Sequence, residues 1–177
     1  THTIYELAMH PEYQEQLYDE IQGILEQNPD KSPYEVFTYD VIQKMTFLNA
    51  VVEENLRLHT PATNTERVAS ENITLKTSNH ELHIEKGDVI LIPIYSVHRD
   101  SEQFPESDVF DPNRFIGERT FHKYSFLPFG GGPRDCIARS LAYYVIKMAV
   151  LHFVRRFRAE PCDETPIPIE YFYAILA

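Results

Sequence analysis

The chain has 177 residues, 43% of them apolar, and a net charge of −11 from 27 acidic and 16 basic side chains. That length and apolar content suit a globular protein with its own core, and the acidic balance argues against nucleic acid as the main partner. No apolar run is long enough to span a bilayer. In chain order, Pro11 and Glu12 suit a helix start, and Tyr13, Leu17, Ile21 and Ile24 make one apolar face of a helix predicted to end near Asn28-Pro29. Residues 33–44 read as a loop with short helical turns. Leu48, Val51 and Val52 then lead an apolar stripe into Glu53-Glu54-Asn55-Leu56-Arg57-Leu58, where Glu54 and Arg57 are helix neighbours at i and i+3. Taken alone, that pair reads as an ordinary surface ion pair, worth at most about 1 kcal/mol. Residues 73–75, 82–84 and 89–92 read as short strands, separated by turn signals at Ser78-Asn79 and Lys86-Gly87. Residues 101–129, with Pro105, Pro112 and Pro128 and little periodicity, are expected to form an irregular meander. From Ile137 the residues Leu141, Tyr144, Val145, Met148 and Leu151 recur at helical spacing, and Arg155, Arg156 and Arg158 follow where a helix C-terminus favours cations. Residues 164–177 are apolar and aromatic and suit the beginning of a hairpin.

The densest chemistry lies in Phe129-Gly130-Gly131-Gly132-Pro133-Arg134-Asp135-Cys136-Ile137-Ala138. It sets Cys136 near the start of the helix predicted from Ile137, where the macrodipole and free N–H groups stabilise a sulfur anion and make the metal-ligating form accessible near neutral pH. The glycines carry no Cβ, so the backbone can turn sharply and a flat cofactor can approach it closely. Arg134 is a permanent cation suited to gripping a carboxylate in a bidentate fork. A Walker loop is disfavoured, because no Lys-Ser or Lys-Thr follows Gly132. A thiol protease would need a general base, and none of the eight histidines is marked out for it. Cys162, in a Pro-rich tail, reads as a buried small hydrophobe.

This segment resembles the haem-binding loop of cytochromes P450, usually written FxxGxRxCxG. It matches at Phe129, Gly132, Arg134 and Cys136 and departs at Ala138, where glycine is usual. The resemblance implies that Cys136 is the axial thiolate, that Phe129 packs beside it and that Arg134 pairs with a haem propionate; Gly132 and Ala138 complete the cofactor-binding set. Glu54-Asn55-Leu56-Arg57 looks like the ExxR signature of the family's K helix, whose acid and base join an arginine from Phe110-Asp111-Pro112-Asn113-Arg114-Phe115. It implies a fold-holding triad of Glu54, Arg57 and Arg114, in which a buried arginine has its charge and donors met by partners. The stretch from Leu58 to Arg67 resembles the strand-forming segment that lines the substrate pocket. It makes Arg67 a second propionate contact and Ala62 and Thr63 substrate-pocket residues. His98-Arg99-Asp100 also matches a recurrent P450 segment and is read as structural, without chemistry of its own.

By this resemblance the fold is mainly α with small β-sheets: the end of the I helix, then J, K, meander, Cys loop and L helix. Residues 1–177 would form the C-terminal part of a single P450 domain with no internal boundary, incomplete by itself. The family's oxygen-activating acid–alcohol pair would lie just upstream of residue 1, so Thr1 and Thr3 are not given that role and no catalytic residue is assigned within the chain. The implied function is a haem-thiolate monooxygenase that inserts one oxygen atom from O₂ into a lipophilic organic substrate. Heme b (iron protoporphyrin IX) would be the cofactor, with NADPH acting only indirectly through NADPH-cytochrome P450 reductase, and with cytochrome b5 as a further donor. The sequence is most similar to animal microsomal P450s, which implies the cytosolic face of the endoplasmic reticulum membrane through an N-terminal anchor outside this chain; a mitochondrial member fed by a ferredoxin is the alternative. With Cys136 on iron, the two cysteines leave no disulfide framework and imply a reducing compartment. The rival readings are a P450-fold isomerase or dehydratase that does not use O₂, and an inactive truncated fragment. Alone, the 177 residues are expected to be inactive.

Overall fold

The computed structural model describes residues 1–77 and 79–169. The chain forms two compact units, one made of Thr1–Asn49 with the chain from Tyr144 onward, the other of Ala50–Tyr143. The predicted tail hairpin falls partly outside the described residues, because 170–177 lie beyond them; Ser78 of the predicted turn also lies outside.

The first unit is helical. Helix α1 (His2–Met9) and α2 (Pro11–Glu26) meet at His10, and Pro11 at the first turn of α2 needs no amide partner there. Leu7 of α1 is fully buried, as are Leu17 and Ile21 on the predicted apolar face of α2. The predicted loop with helical turns consists of α3 (Pro33–Val36) and α4 (Tyr39–Lys44). Ser32 and Glu35 form a capping box at α3, and hydrogen bonds from the Ser32 hydroxyl and backbone N–H hold the Glu35 carboxyl below its usual range. Helix α5 (Thr46–Leu58) starts in this unit. Its first amides are met from a distance in sequence: the Glu20 carboxylate accepts from Phe47 N–H at 2.8 Å and Leu48 N–H at 2.9 Å. A carboxylate there satisfies orphan donors and complements the helix dipole. The later part of α7 (Arg139–Val154) also belongs to this unit and buries Val150, Leu151 and Val154.

The second unit carries the sheets and the meander. Strand β1 (Thr65–Val68) pairs antiparallel with β4 (Val89–Ile92), with Thr65 opposite Ile92 and Val68 opposite Val89. Between them β2 (Ile73–Lys76) and β3 (Glu81–Ile84) form their own antiparallel hairpin, with Ile73 opposite Ile84. The base of that insertion is tied by Ala69 N–H to Asp88 C=O and Gly87 N–H to Ala69 C=O, both 2.9 Å. Helix α6 (Ile94–Val97) follows β4 and is capped at its C-terminus by His98. The meander is irregular as predicted, with one 3₁₀ turn at Pro112–Phe115. Its side chains are organised nonetheless. Phe104 and Phe121 stack at 4.7 Å, Phe115 and Phe126 at 4.9 Å, and all four are buried. Such contacts between rings add about 0.5–1.5 kcal/mol each beyond the area they bury.

Candidate functional site: a thiolate loop and a buried charge cluster

In the second unit, Glu54 and Arg57 are both fully buried, so reading the pair from spacing alone as a surface ion pair is wrong. Arg57 Nε donates to Glu54 Oε2 at 2.7 Å and Nη2 to Glu54 Oε1 at 2.8 Å, a side-on fork. The remaining donors reach backbone carbonyls: Nη1 to His98 at 2.9 Å and Ser107 at 2.6 Å, Nη2 to Val109 at 3.1 Å. The guanidinium also lies over Phe104, 5.2 Å from the ring centroid. Glu54 Oε1 additionally accepts from Asp111 N–H at 2.8 Å. Arg114 comes to the same oxygen, its Nε 3.5 Å away, at ion-pair range without a hydrogen bond. The cluster thus binds α5 to the meander at two carbonyls and one amide, and to the end of α6 at the His98 carbonyl.

The cysteine loop is held differently. Gly130 and Gly132 adopt φ of +76° and +77°, which side chains resist. After them Pro133 and Arg134 complete a short 3₁₀ turn, Gly132–Arg134. Cys136 N–H donates to Phe129 C=O at 2.9 Å, closing the loop on itself. The Phe129 ring packs on Tyr143, with centroids 5.0 Å apart. Helix α7 starts at Arg139 and not at Ile137: Cys136 C=O accepts Arg139 N–H at 3.2 Å, and Ala138 C=O accepts the first full helical bond, from Ala142. Cys136 therefore stands ahead of the first helical turn. Its side chain is exposed, as are Ile137 and Leu141. Arg134 is exposed and has no hydrogen bond or ion pair among the described residues.

The other residues singled out from sequence are not joined to this loop. Arg67 is on β1, as the strand-forming segment implied, and its Nη1 donates to Thr65 Oγ1 at 3.1 Å and Glu66 C=O at 2.7 Å; no hydrogen bond links it to the cysteine loop among the described residues. Ala62 and Thr63 are exposed ahead of β1, their carbonyls accepting from Thr60 Oγ1 and Tyr95 N–H. Cys162 is exposed, contrary to expectation; a hydrogen bond from Thr165 Oγ1 to its sulfur lowers the thiol's pKa. Its Pro-rich surroundings form turns that keep it at the surface.

Sequence reasoning missed a cleft of about 400 Å³ beside the glycine turn, lined by Phe129, Gly130 and Gly131 together with Glu53, Arg119 and Tyr143. Glu53 and Arg119 form a fork of 2.7 and 2.8 Å, although 66 residues separate them. Burial and the Glu53 charge raise the Tyr143 hydroxyl above its usual range, opposed by Arg119 and Arg139. His98, read from sequence as structural without its partners, has a fully buried imidazole bonded at both nitrogens. A histidine joined to residues 41 and 29 positions away leaves no spacing signal.

Among the described residues no three His, Cys, Asp or Glu side chains come together to hold a metal ion. A metal at Cys136 would therefore have to bring most of its ligands with it, and the loop offers one exposed thiol. The chain belongs to the cytochrome P450 family, which it matches over residues 1–175. It is 41% identical to cytochrome P450 3A25 of Mus musculus over 169 residues, 94% of this chain and 32% of the relative. It is 39% identical to cytochrome P450 9e2 of Blattella germanica over 166 residues, 93% of this chain and 30% of that protein. Lithocholate 6-beta-hydroxylase of Mesocricetus auratus matches at 36% over 175 residues, 98% of this chain and 33% of the relative. The chain thus spans about a third of the length of the curated relatives it matches.

Membership implies haem, and the residues present fit it. The porphyrin supplies four nitrogens, which suits a single exposed thiol; the exposed, unpartnered Arg134 is free for a carboxylate. A Cβ on Gly131 would meet Leu127 Cδ2 at 3.3 Å, so the turn has little room for a larger residue. No helix among the described residues is long and apolar enough to cross a membrane.

Proposed function

We propose that this chain is the thiolate-bearing part of a haem monooxygenase that places one oxygen atom from O₂ into a lipophilic organic substrate. The observation that carries the reading is the exposed sulfur of Cys136 on a loop closed by its own N–H, two residues after an unpartnered arginine. When bound, haem supplies the redox-active iron at which O₂ is reduced. Cys136 would supply the thiolate sulfur to the iron, whose charge would favour the deprotonated ligand. Arg134 binds one propionate and Arg67 the other, each as a permanent cation that positions the ring edge. Phe129 packs beside the ligand, and Gly132 and Ala138 keep the backbone near it free of large side chains. Glu54, Arg57 and Arg114 act at one remove, fixing the meander whose chain continues into the cysteine loop. Ala62 and Thr63 face substrate. One matched relative is named for 6-beta hydroxylation of lithocholate, and hydroxylation of an organic substrate is consistent with this reading. Electrons come from an NADPH-dependent reductase at the cytosolic face of the endoplasmic reticulum membrane.

The test is the absorption spectrum of the reduced, carbon monoxide-bound protein that contains this chain, beside Cys136→Ser. The red-shifted thiolate band is expected in the first and absent in the second. If the variant keeps it, Cys136 is not the ligand.

A further inference from the structure

His98 lies in the second unit, at the C-terminal cap of α6, fully buried among groups that leave it one chemical state. Leu127 N–H reaches its Nε2 at 2.7 Å. A backbone amide can only donate, so Nε2 carries no proton. The other nitrogen, Nδ1, is 3.2 Å from the Arg57 carbonyl oxygen, which can only accept. The imidazole is therefore neutral, with its proton on Nδ1. Both neighbours are significant places. Arg57 belongs to the buried charge cluster, and its Nη1 returns a hydrogen bond to the His98 carbonyl at 2.9 Å, so the two residues bond in both directions. Leu127 stands two residues before Phe129, whose carbonyl receives the Cys136 N–H. Its own carbonyl accepts from Gly130 N–H at 3.0 Å, at the first positive-φ glycine of the turn. Phe126 lies against the imidazole, with ring centroids 5.4 Å apart.

These bonds form one path: Arg57 C=O, His98 imidazole, Leu127 N–H, then the Leu127 and Phe129 carbonyls that shape the turn under Cys136. We infer that His98 is a positioning residue for the thiolate, a rigid bridge that transmits the fixed placement of the Glu54–Arg57 cluster to the start of the cysteine loop. Hydrogen-bonding the far nitrogen is the part that serves the loop; hydrogen-bonding the near one holds the ring in place. Burial first, and then the charged groups around the ring, the Arg57 and Arg99 guanidiniums, keep it uncharged, which preserves Nε2 as an acceptor. A protonated ring would turn that acceptor into a donor facing the Leu127 N–H.

This inference rests on Cys136 being the haem ligand, and its test separates the two. In the haem-loaded protein, His98→Gln can present an amide oxygen near the position of Nε2, whereas His98→Asn reaches only the position of Nδ1. Each variant keeps one of the two hydrogen bonds, so a purely structural role predicts similar effects from both. The positioning role predicts a difference. His98→Gln is expected to keep Leu127 amide exchange within about 10-fold of wild type, a 1.4 kcal/mol equivalent, and to keep the thiolate band of the reduced carbon monoxide complex. His98→Asn is expected to speed exchange at Leu127 by more than that and to convert the band to its non-thiolate form on mild warming. Nitrogen chemical shifts of the imidazole in the wild-type protein should report the Nδ1–H tautomer. Equal behaviour of the two variants, or an Nε2–H tautomer, overturns the bridge. Amide exchange and the tautomer need no assumption about the ligand, so loss of the ligand assignment through Cys136→Ser would leave those results readable on their own.

Discussion

Consider replacing Arg57 by methionine, of similar length and no charge. Glu54 would then be a fully buried carboxylate left with only Asp111 N–H and the distant Arg114 Nε, and the carbonyls of His98, Ser107 and Val109 would lose donors. Breaking one partner out of a buried pair costs about 3–5 kcal/mol, and three abandoned carbonyls add on the order of 1 kcal/mol each. The sum, about 6–8 kcal/mol, is comparable to the whole stability of an ordinary domain, about 5–15 kcal/mol. Glu54→Gln should cost about 3–5 kcal/mol for the converse reason. The combined variant should cost less than the two singles added, by about 3 kcal/mol, since no unpaired buried charge remains. Urea unfolding of the four forms measures this cycle. Arg57→Lys should fall close to Arg57→Met, because an ammonium cannot form the fork. If the singles add to within about 0.5 kcal/mol, Glu54 and Arg57 are not held as a buried pair and the argument fails.

Three further outcomes follow from other residues. Arg134→Gln removes a side chain with no partner among the described residues, so the urea midpoint of the haem-free protein should not move, while haem transfer to an apoglobin acceptor should accelerate several-fold; unchanged transfer refutes the propionate role. His98 titrates at about 4 in the fold against an ordinary 6.5, through burial first and then the Arg57 and Arg99 charges. The unfolded chain therefore binds more protons between those values, so stability is full above pH 6.5 and falls by up to about 3 kcal/mol as pH drops to 4. His98→Gln should show a shallower fall in urea midpoint between pH 7 and pH 5, and parallel falls would count against this burial. Finally, iodoacetamide should label both Cys136 and Cys162 in the haem-free protein but only Cys162 in the haem-loaded one, as read by peptide mass; labelling of Cys136 with haem bound would contradict ligation.

What the sequence could tell was set by how local each feature is. The helix from Pro11 and the run from Leu48 to Leu58 follow from spacing and propensity, and the three predicted strands fall within one residue of where they form. Spacing also put Glu54 and Arg57 side by side. It could not bury them, because burial comes from Phe104, Val109 and Asp111, some fifty residues later. For the same reason the carboxylate that caps α5 was invisible: Glu20 lies 27 residues before the amide it meets. The start of α7 was misplaced because Cys136 spends its N–H on Phe129 and the 3₁₀ turn at Gly132–Arg134 delays helical geometry to Arg139. His98 looked structural and its burial agrees with that, but its two bonding partners belong to segments no periodicity connects.

The β2–β3 insertion has a practical use. Strand β1 is already paired with β4, and the insertion is closed at its base by the two hydrogen bonds between Ala69 and the Gly87-Asp88 turn. Every residue of β2 is exposed, and of β3 only Ile84 is buried. The exposed Asn79 and His80 beside its end are thus a place where a fluorophore or an affinity tag can be spliced into the chain, leaving the register that presents Arg67 untouched.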